Sequence, residues 1–213
     1  MSKKSKGRIA RKMDNEEIWN WYNFNLDKGS RTLYFGPWND AETGLGTEDC
    51  AQPWEVSDWS AQNIIKGLHV LEQESEEPIL INWFSYGGDW DAGTAIYDYI
   101  KGCKSYITMK CYGRVRSMGT VILQAADKRL LSPNCMFLIH YGEAGYEATE
   151  QDFVRYTEQL VRDRTVMENI YLEKIRANKP RYSRERIQDM MQHDKYMTPT
   201  EAVEIGLADE IIK

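Results

Sequence analysis

Ser117 has the setting of a nucleophile. It follows Tyr106 to Tyr112, which alternates as a strand does, and Gly113; it opens an apolar run to Ala126 that reads as a buried helix. A serine at a strand-to-helix turn presents its hydroxyl clear of the backbone. The free N–H groups of the helix start then lie where an oxyanion would form. This is not the G-x-S-x-G elbow, because Val115 stands where that motif needs glycine. Ordinary N-capping is the competing role for such a serine, and the local residues do not decide between the two.

A serine hydroxyl needs a base that titrates near neutrality. The chain has three histidines. His69 falls within an amphipathic helical stretch and reads as a surface residue. His193 sits at a helix end, where a cation suits the dipole. His140 ends the apolar strand Cys135 to Ile139, the place where a parallel strand delivers residues to a site. A third partner must be a carboxylate that fixes the imidazole tautomer. Asp89, Asp91, Asp127, Asp152 and Asp194 all qualify, and spacing does not choose among them. Gly87-Gly88, after a buried strand and before a helix, suits close approach of backbone to a ligand. Neither a G-x-G-x-x-G nor a P-loop lysine accompanies it, which argues against nucleotide binding.

The elements that must position these residues alternate between strand and helix, an α/β pattern. Residues 1–30 give no clear period. Arg31 to Phe35 reads as a short strand closed by Gly36-Pro37, and 38–59 as a loop or insertion. Residues 60–74 carry Ile64, Leu68 and Leu71 on one helical stripe. Ile79 to Phe84 is a buried strand, and Asp91 to about Cys103 a helix with Ala92, Ala95, Ile96, Tyr99 and Ile100 on its apolar face. After Leu130-Leu131 and the Cys135 strand, Thr149 caps a helix that keeps its period through Phe153, Tyr156, Leu160, Met167, Ile170 and Tyr171 to Asn178. At 1.5 Å per residue it reaches about 45 Å, longer than a small domain is wide, so it should project toward another subunit. Ser183 opens another helix. Thr198-Pro199-Thr200-Glu201 is a capping box with proline at the first helical position, and Gly206 is the expected stop.

Composition bounds the rest. A chain of 213 residues suits one domain with its own core. A net charge of -6 argues against nucleic acid as the main partner. The basic run Lys3 to Lys12 reads as a solvated, partly disordered tail, with no apolar stretch after it to make a secretory signal. No window approaches the roughly 18 apolar residues of a membrane span. Cys50, Cys103, Cys111 and Cys135 form no CxxC pair, so neither a metal nor a redox motif is expected. Free thiols point to a reducing compartment, the cytoplasm or an organellar matrix or stroma.

Taken in order, these segments resemble the ClpP family, the proteolytic subunit of the Clp protease. The resemblance is carried by Arg31-Thr-Leu-Tyr-Phe-Gly36, by Ile81-Asn82 with Ser85-Tyr-Gly-Gly88 and Ala92-Gly93-Thr-Ala-Ile96-Tyr97-Asp98, and by Ser117-Met118-Gly119. Pro133-Asn134 with Ile139-His140 continues it, and His193-Asp194-Lys-Tyr-Met197 with Glu201-Ala202-Val203-Glu204-Ile-Gly206-Leu207-Ala-Asp209 completes it over residues 31–213. It implies a crotonase-like spiral head, with 149–178 as a handle helix and 1–30 as a candidate axial segment. It implies Ser117 as nucleophile, His140 as base, Asp194 as orienting carboxylate, and the N–H groups of Gly88 and Met118 as oxyanion hole. Gly87, Gly88, Tyr141 and Gly142 would line the substrate. The implied activity is peptide hydrolysis through an acyl-enzyme, with no cofactor, inside paired heptameric rings fed with unfolded polypeptide by an AAA+ unfoldase such as ClpX, ClpA or ClpC.

The chain also departs from the pattern. Two extra residues near Trp83-Phe84 precede the glycine pair, and Tyr86 replaces a proline. Arg114 and Arg116 stand where small or amide residues are usual. Tyr141-Gly142 replaces Gln-Pro, and Lys195 an arginine tied to ring pairing. A non-catalytic ring subunit of a mixed assembly and a crotonase-type acyl-CoA enzyme are the competing readings; the latter leaves the three triad residues unexplained.

Overall fold

The structure, a computed structural model, describes residues 12–36 and 54–213. Most of the expected tail run and most of the expected 38–59 insertion lie outside them.

The first element, α1 (Asn15–Phe24), falls where the sequence showed no period. A capping box fixes its start: the Asp14 side chain accepts from Glu17 N–H, and the Glu17 carboxylate accepts from Asp14 N–H. Ile18, Trp19 and Phe24 stay exposed, which is why no core-facing stripe announced the helix. After β1 (Leu26–Asp27) and β2 (Thr32–Phe35), β3 (Glu55–Val56) and α2 (Asp58–Glu74) replace the end of the expected loop. The helix starts at Ser57, whose hydroxyl accepts from Ser60 N–H, so the polar residues before position 60 are its cap rather than a connection.

Next come β4 (Ile79–Ser85), β5 (Gly87–Gly88), α3 (Trp90–Gly102) and β6 (Ile107–Arg116). On α3 the buried residues are Ala92, Gly93, Ile96, Tyr97 and Ile100; Ala95 faces solvent and Tyr97 takes its place. β6 runs through Gly113 instead of ending there. Its first half pairs in parallel with β7 (Lys128–Leu131) and its last three residues with β8 (Met136–Ile139). Gly113 sits at this fork with φ +62, and a side chain there would meet the Phe84 ring at 2.9 Å. The β4–β6 register also shifts between Trp83 and Ser85, so β6 carries extra residues at the point where it changes partner.

An eight-stranded sheet results, in the order β1-β2-β4-β6-β7-β10, with β8 and β9 (Lys195–Met197) as a wing beyond the fork and β10 (Glu210–Ile211) on β7, while β3 and β5 pair in a separate two-stranded sheet. Ile79, Ile81 and Trp83 of β4 and Ile107, Met109 and Cys111 of β6 are buried with Ile64, Leu68 and Leu71 of α2 and Ile96 of α3. The remaining helices are α4 (Met118–Leu123), α5 (Glu150–Asn178), α6 (Arg184–Met191) and α7 (Pro199–Ile205). The expected helix to Ala126 therefore stops early, in a turn from Gln124. Thr149, Ser183 and Thr198 cap α5, α6 and α7 as their sequences predict, and Gly206 ends α7 in the left-handed region.

The buried residues of α5 all lie from Met167 onward. Phe153 and Val161 are more than half exposed, so Phe153, Tyr156 and Leu160 extend the helical period without reaching this chain's core. At 1.5 Å per residue, the first sixteen or so residues carry the helix about 25 Å beyond its packed base.

Candidate active site

Ser117 joins the end of β6 to α4 in a conformation few side chains adopt, φ 49 and ψ -127. Its hydroxyl makes no capping bond, which removes the N-cap role. The backbone is pinned instead: Ser117 N–H donates to Leu138 C=O at 2.9 Å, and its carbonyl accepts from Thr120 N–H and Oγ1–H at 2.9 and 2.7 Å. Thr120 is in turn 2.7 Å from the buried Tyr171 hydroxyl of α5. Strain at such a position persists only where the surroundings over-determine it, and here several bonds do.

The freed hydroxyl lies 2.9 Å from His140 Nε2, and His140 Nδ1 lies 2.8 Å from Asp194 Oδ1. A carboxylate only accepts, so Nδ1 is the protonated nitrogen and the Nε2 lone pair faces the serine. Antiparallel pairing of β8 with β9 sets Ile139 opposite Lys195. One step beyond, the same register sets His140 opposite Asp194. Asp194 Oδ2 also accepts from the Tyr196 hydroxyl at 3.3 Å. Three of the other four candidate carboxylates are engaged elsewhere: Asp89 caps α3, Asp127 accepts from Ile107 N–H, and Asp152 accepts from Thr149; Asp91 is exposed in the first turn of α3. His69 and His193 are exposed, as their settings predict.

Gly87 and Gly88 are not a plain turn. They pair in parallel with Glu55 and Val56, at φ +97 and +144. A Cβ on Gly87 would stand 2.5 Å from Ser117 Cβ and 3.1 Å from Met118 N, so the glycine backbone abuts the nucleophile. A Cβ on Gly88 would run into the Val56 backbone. Met118 packs its side chain against Gly93 of α3, and both flanks of the serine are thereby fixed. Gly87→Ala should therefore lower the rate at which a serine-directed fluorophosphonate labels Ser117 about 100-fold, the scale of a displacement near 1 Å at a reacting group. Labelling kinetics on a variant with wild-type melting behaviour measures this; a rate within three-fold of wild type would show that the close approach is not needed.

Tyr141 and Gly142 follow the histidine. A Cβ on Gly142 would be 3.9 Å from His140 Nε2, close to the reacting atoms. The Tyr141 side chain turns toward the base of α5 instead. Its hydroxyl donates to Glu168 Oε1 at 2.6 Å, and its N–H to Met191 C=O at 3.0 Å. Burial, together with the neighbouring Glu168 carboxylate, pushes the phenol above its ordinary range. Glu168, 4% exposed, also accepts from Arg184 at 2.6 Å and from Gln188. This clamp ties the segment after His140 to α5 and α6. Sequence reasoning missed Glu168, Thr120 and Tyr196; Glu168 and Thr120 bond between different elements, and Tyr196 bonds Asp194 only two residues away, where no local motif marks it.

The cysteines offer no rival nucleophile among the described residues. Burial pushes the Cys103 and Cys135 thiols up to about 12 and Cys111 well above its usual range, so none is a thiolate near neutrality. No group of three His, Cys, Asp or Glu side chains among the described residues is arranged to hold a metal ion.

Comparison with known proteins places the chain in a family and a fold. The profile of the Clp protease family matches residues 49–213. The ATP-dependent Clp protease proteolytic subunit of Deinococcus radiodurans is 30% identical over 160 residues, covering 74% of this chain and 76% of that protein. A ClpP1 point mutant from Listeria monocytogenes superposes with a TM-score of 0.71 at 26% identity, covering 87% of this chain and 93% of that one. The fold is accordingly the ClpP-type, crotonase-like α/β fold.

Proposed function

The chain belongs to the Clp protease family, and on that premise we propose that it is a serine endopeptidase subunit of a compartmentalised protease. The observation that carries the reading is the continuous chain of contacts from Ser117 Oγ through His140 to Asp194, 2.9 and 2.8 Å long. In it, Ser117 attacks the scissile carbonyl while His140 takes the hydroxyl proton, and Asp194 holds the imidazole in its reactive tautomer and stabilises the imidazolium. The N–H groups of Gly88 and Met118 receive the developing oxyanion. His140 then protonates the leaving amine, and water, activated by the same base, releases the acyl group from Ser117.

Each subunit works within a ring of seven, two rings stacking through the projecting half of α5. The exposed Phe153, Val154, Val161 and Val166 suit that helix to a partner surface. Unfolded polypeptide is the substrate, delivered by an AAA+ unfoldase in the cytoplasm or an organellar matrix.

A fluorophosphonate reacts only with an activated serine. Incubated with the assembled protein, it should label one residue, Ser117, and Ser117→Ala should abolish the labelling in an otherwise intact particle. Assembled protein that stays unlabelled and cleaves no peptide would overturn the reading in favour of a structural ring subunit.

A further inference from the structure

The sheet face beside the nucleophile carries charge that the triad does not use. Register across the wing sets Arg116, Leu138 and Tyr196 in one row, and Arg114 opposite Met136 in the row before. Val115, Phe137 and Met197 point the other way into the core. On the opposite face Arg114 and Arg116 are partly exposed and Tyr196 is exposed, with Leu138 buried between Arg116 and Tyr196, and Tyr86 flanks this face, 41% exposed.

Both guanidiniums lie over the Tyr86 ring, at 5.5 Å for Arg114 and 5.2 Å for Arg116, and Arg116 also faces the Tyr196 ring at 5.7 Å. Their hydrogen-bond contacts are to one soft acceptor, Met136 Sδ, at 3.6 and 2.9 Å. Among the described residues neither arginine has a carboxylate partner, and Arg116 Nε is buried with no acceptor. Aromatic faces hold a guanidinium by its plane and leave its N–H edge unspent. Two cations side by side also repel each other. A single carboxylate answers both deficits, because its two oxygens match the guanidinium fork.

Arg116 directly precedes Ser117, and Tyr196 hydrogen-bonds Asp194, so this edge borders the reacting atoms. An extended peptide advances about 3.3 Å per residue, which brings side chains one to three residues from the scissile bond within reach. We propose that Arg114 and Arg116 form an acid-selecting subsite, so that the protein prefers peptides with aspartate or glutamate within three residues of the cleaved bond. The inference rests on the peptidase reading and adds its substrate class.

Binding tests it without turnover. Ser117→Ala protein is titrated, by fluorescence anisotropy, with two labelled peptides identical except for Glu or Gln near the scissile position. The Glu peptide should bind about ten-fold more tightly, the scale of one charge-assisted contact. The gap should close in about 0.5 M salt. Arg114→Gln should narrow it, and Arg114→Gln with Arg116→Gln should bring the ratio to one with the oligomeric mass retained. No preference in the Ser117→Ala protein, a preference that survives the double substitution, or loss of the wild-type mass in the double variant would each overturn the subsite; the last would make this face a subunit contact. Equal kcat/KM for both peptides in the wild-type protein would overturn the subsite and leave the peptidase standing. Turnover of neither, with the binding preference intact, would sink the peptidase and keep the anion subsite.

Discussion

Ser117→Ala and His140→Ala should each lower kcat for a fluorogenic peptide about 10⁶-fold, and Asp194→Asn about 10⁴-fold. The inequality follows from the geometry. In the proposed reaction Ser117 supplies the attacking atom and His140 the base 2.9 Å away, so removing either ends the covalent route. Asp194 touches only the far nitrogen of the ring. As asparagine it can present an amide N–H to His140 Nδ1, which then becomes the acceptor and leaves the proton on Nε2, the wrong tautomer for a base. The ring stays in place and the reaction slows. Because the three residues act as a unit, the Ser117→Ala, Asp194→Asn double variant should be no slower than Ser117→Ala alone. Kinetics on particles of verified mass decide the matter. An Asp194→Asn variant within ten-fold of wild type would show that another group orients the histidine.

The difficulty of finding Asp194 in the sequence has a physical source. Ser117 and His140 sit at chain junctions that local pattern marks: a strand turning into a helix, and the end of an apolar strand. Asp194 is assigned by a pairing, β8 against β9, between segments more than fifty residues apart, and no period in either segment encodes that register. The family resemblance supplied the residue where local reasoning left five aspartates open. Helix limits were legible because caps are local, as at Thr149, Ser183 and Thr198. The helix α1 was not, since its tryptophans face outward and give no core stripe. Nor was the fork at Gly113 legible. A glycine after an alternating strand reads as a stop, yet here it lets one strand leave β7 and join β8, the step that delivers Ser117 beside His140.

The segment that carries Asp194 is anchored at its far end by a buried ion pair, and breaking that pair should have the largest effect on stability. Arg129 of β7 is 6% exposed. Its guanidinium donates to both oxygens of Asp209, to Gln124 Oε1 at 2.6 Å and to Gly206 C=O at 3.0 Å, and its backbone N–H donates to Asp209 Oδ2 at 2.7 Å. The chain from β9 through α7 to β10 is thereby held against the sheet. Asp209→Ala leaves a buried cation without its counter-charge, which costs about 3 kcal/mol or more. For a chain of this length that is a fall of about 10 °C in melting temperature. Replacing both members, as Arg129→Met with Asp209→Ala, removes the stranded charge and should recover part of the loss, because well-packed apolar groups substitute for buried pairs at little net cost. The same pair sets a pH dependence. Partial burial alone would raise the Asp209 carboxyl, but the hydrogen bonds and charge of Arg129 outweigh it and hold the group below its usual range. Its contribution is therefore complete above the ordinary carboxylate range and is lost as pH falls through the lowered value. The melting temperature of the wild-type protein should drop on acidification more than that of the double variant. Equal acid sensitivity in the two, or an Asp209→Ala protein as stable as wild type, would show that the C-terminal segment is held by its strand pairing and apolar contacts without the buried pair.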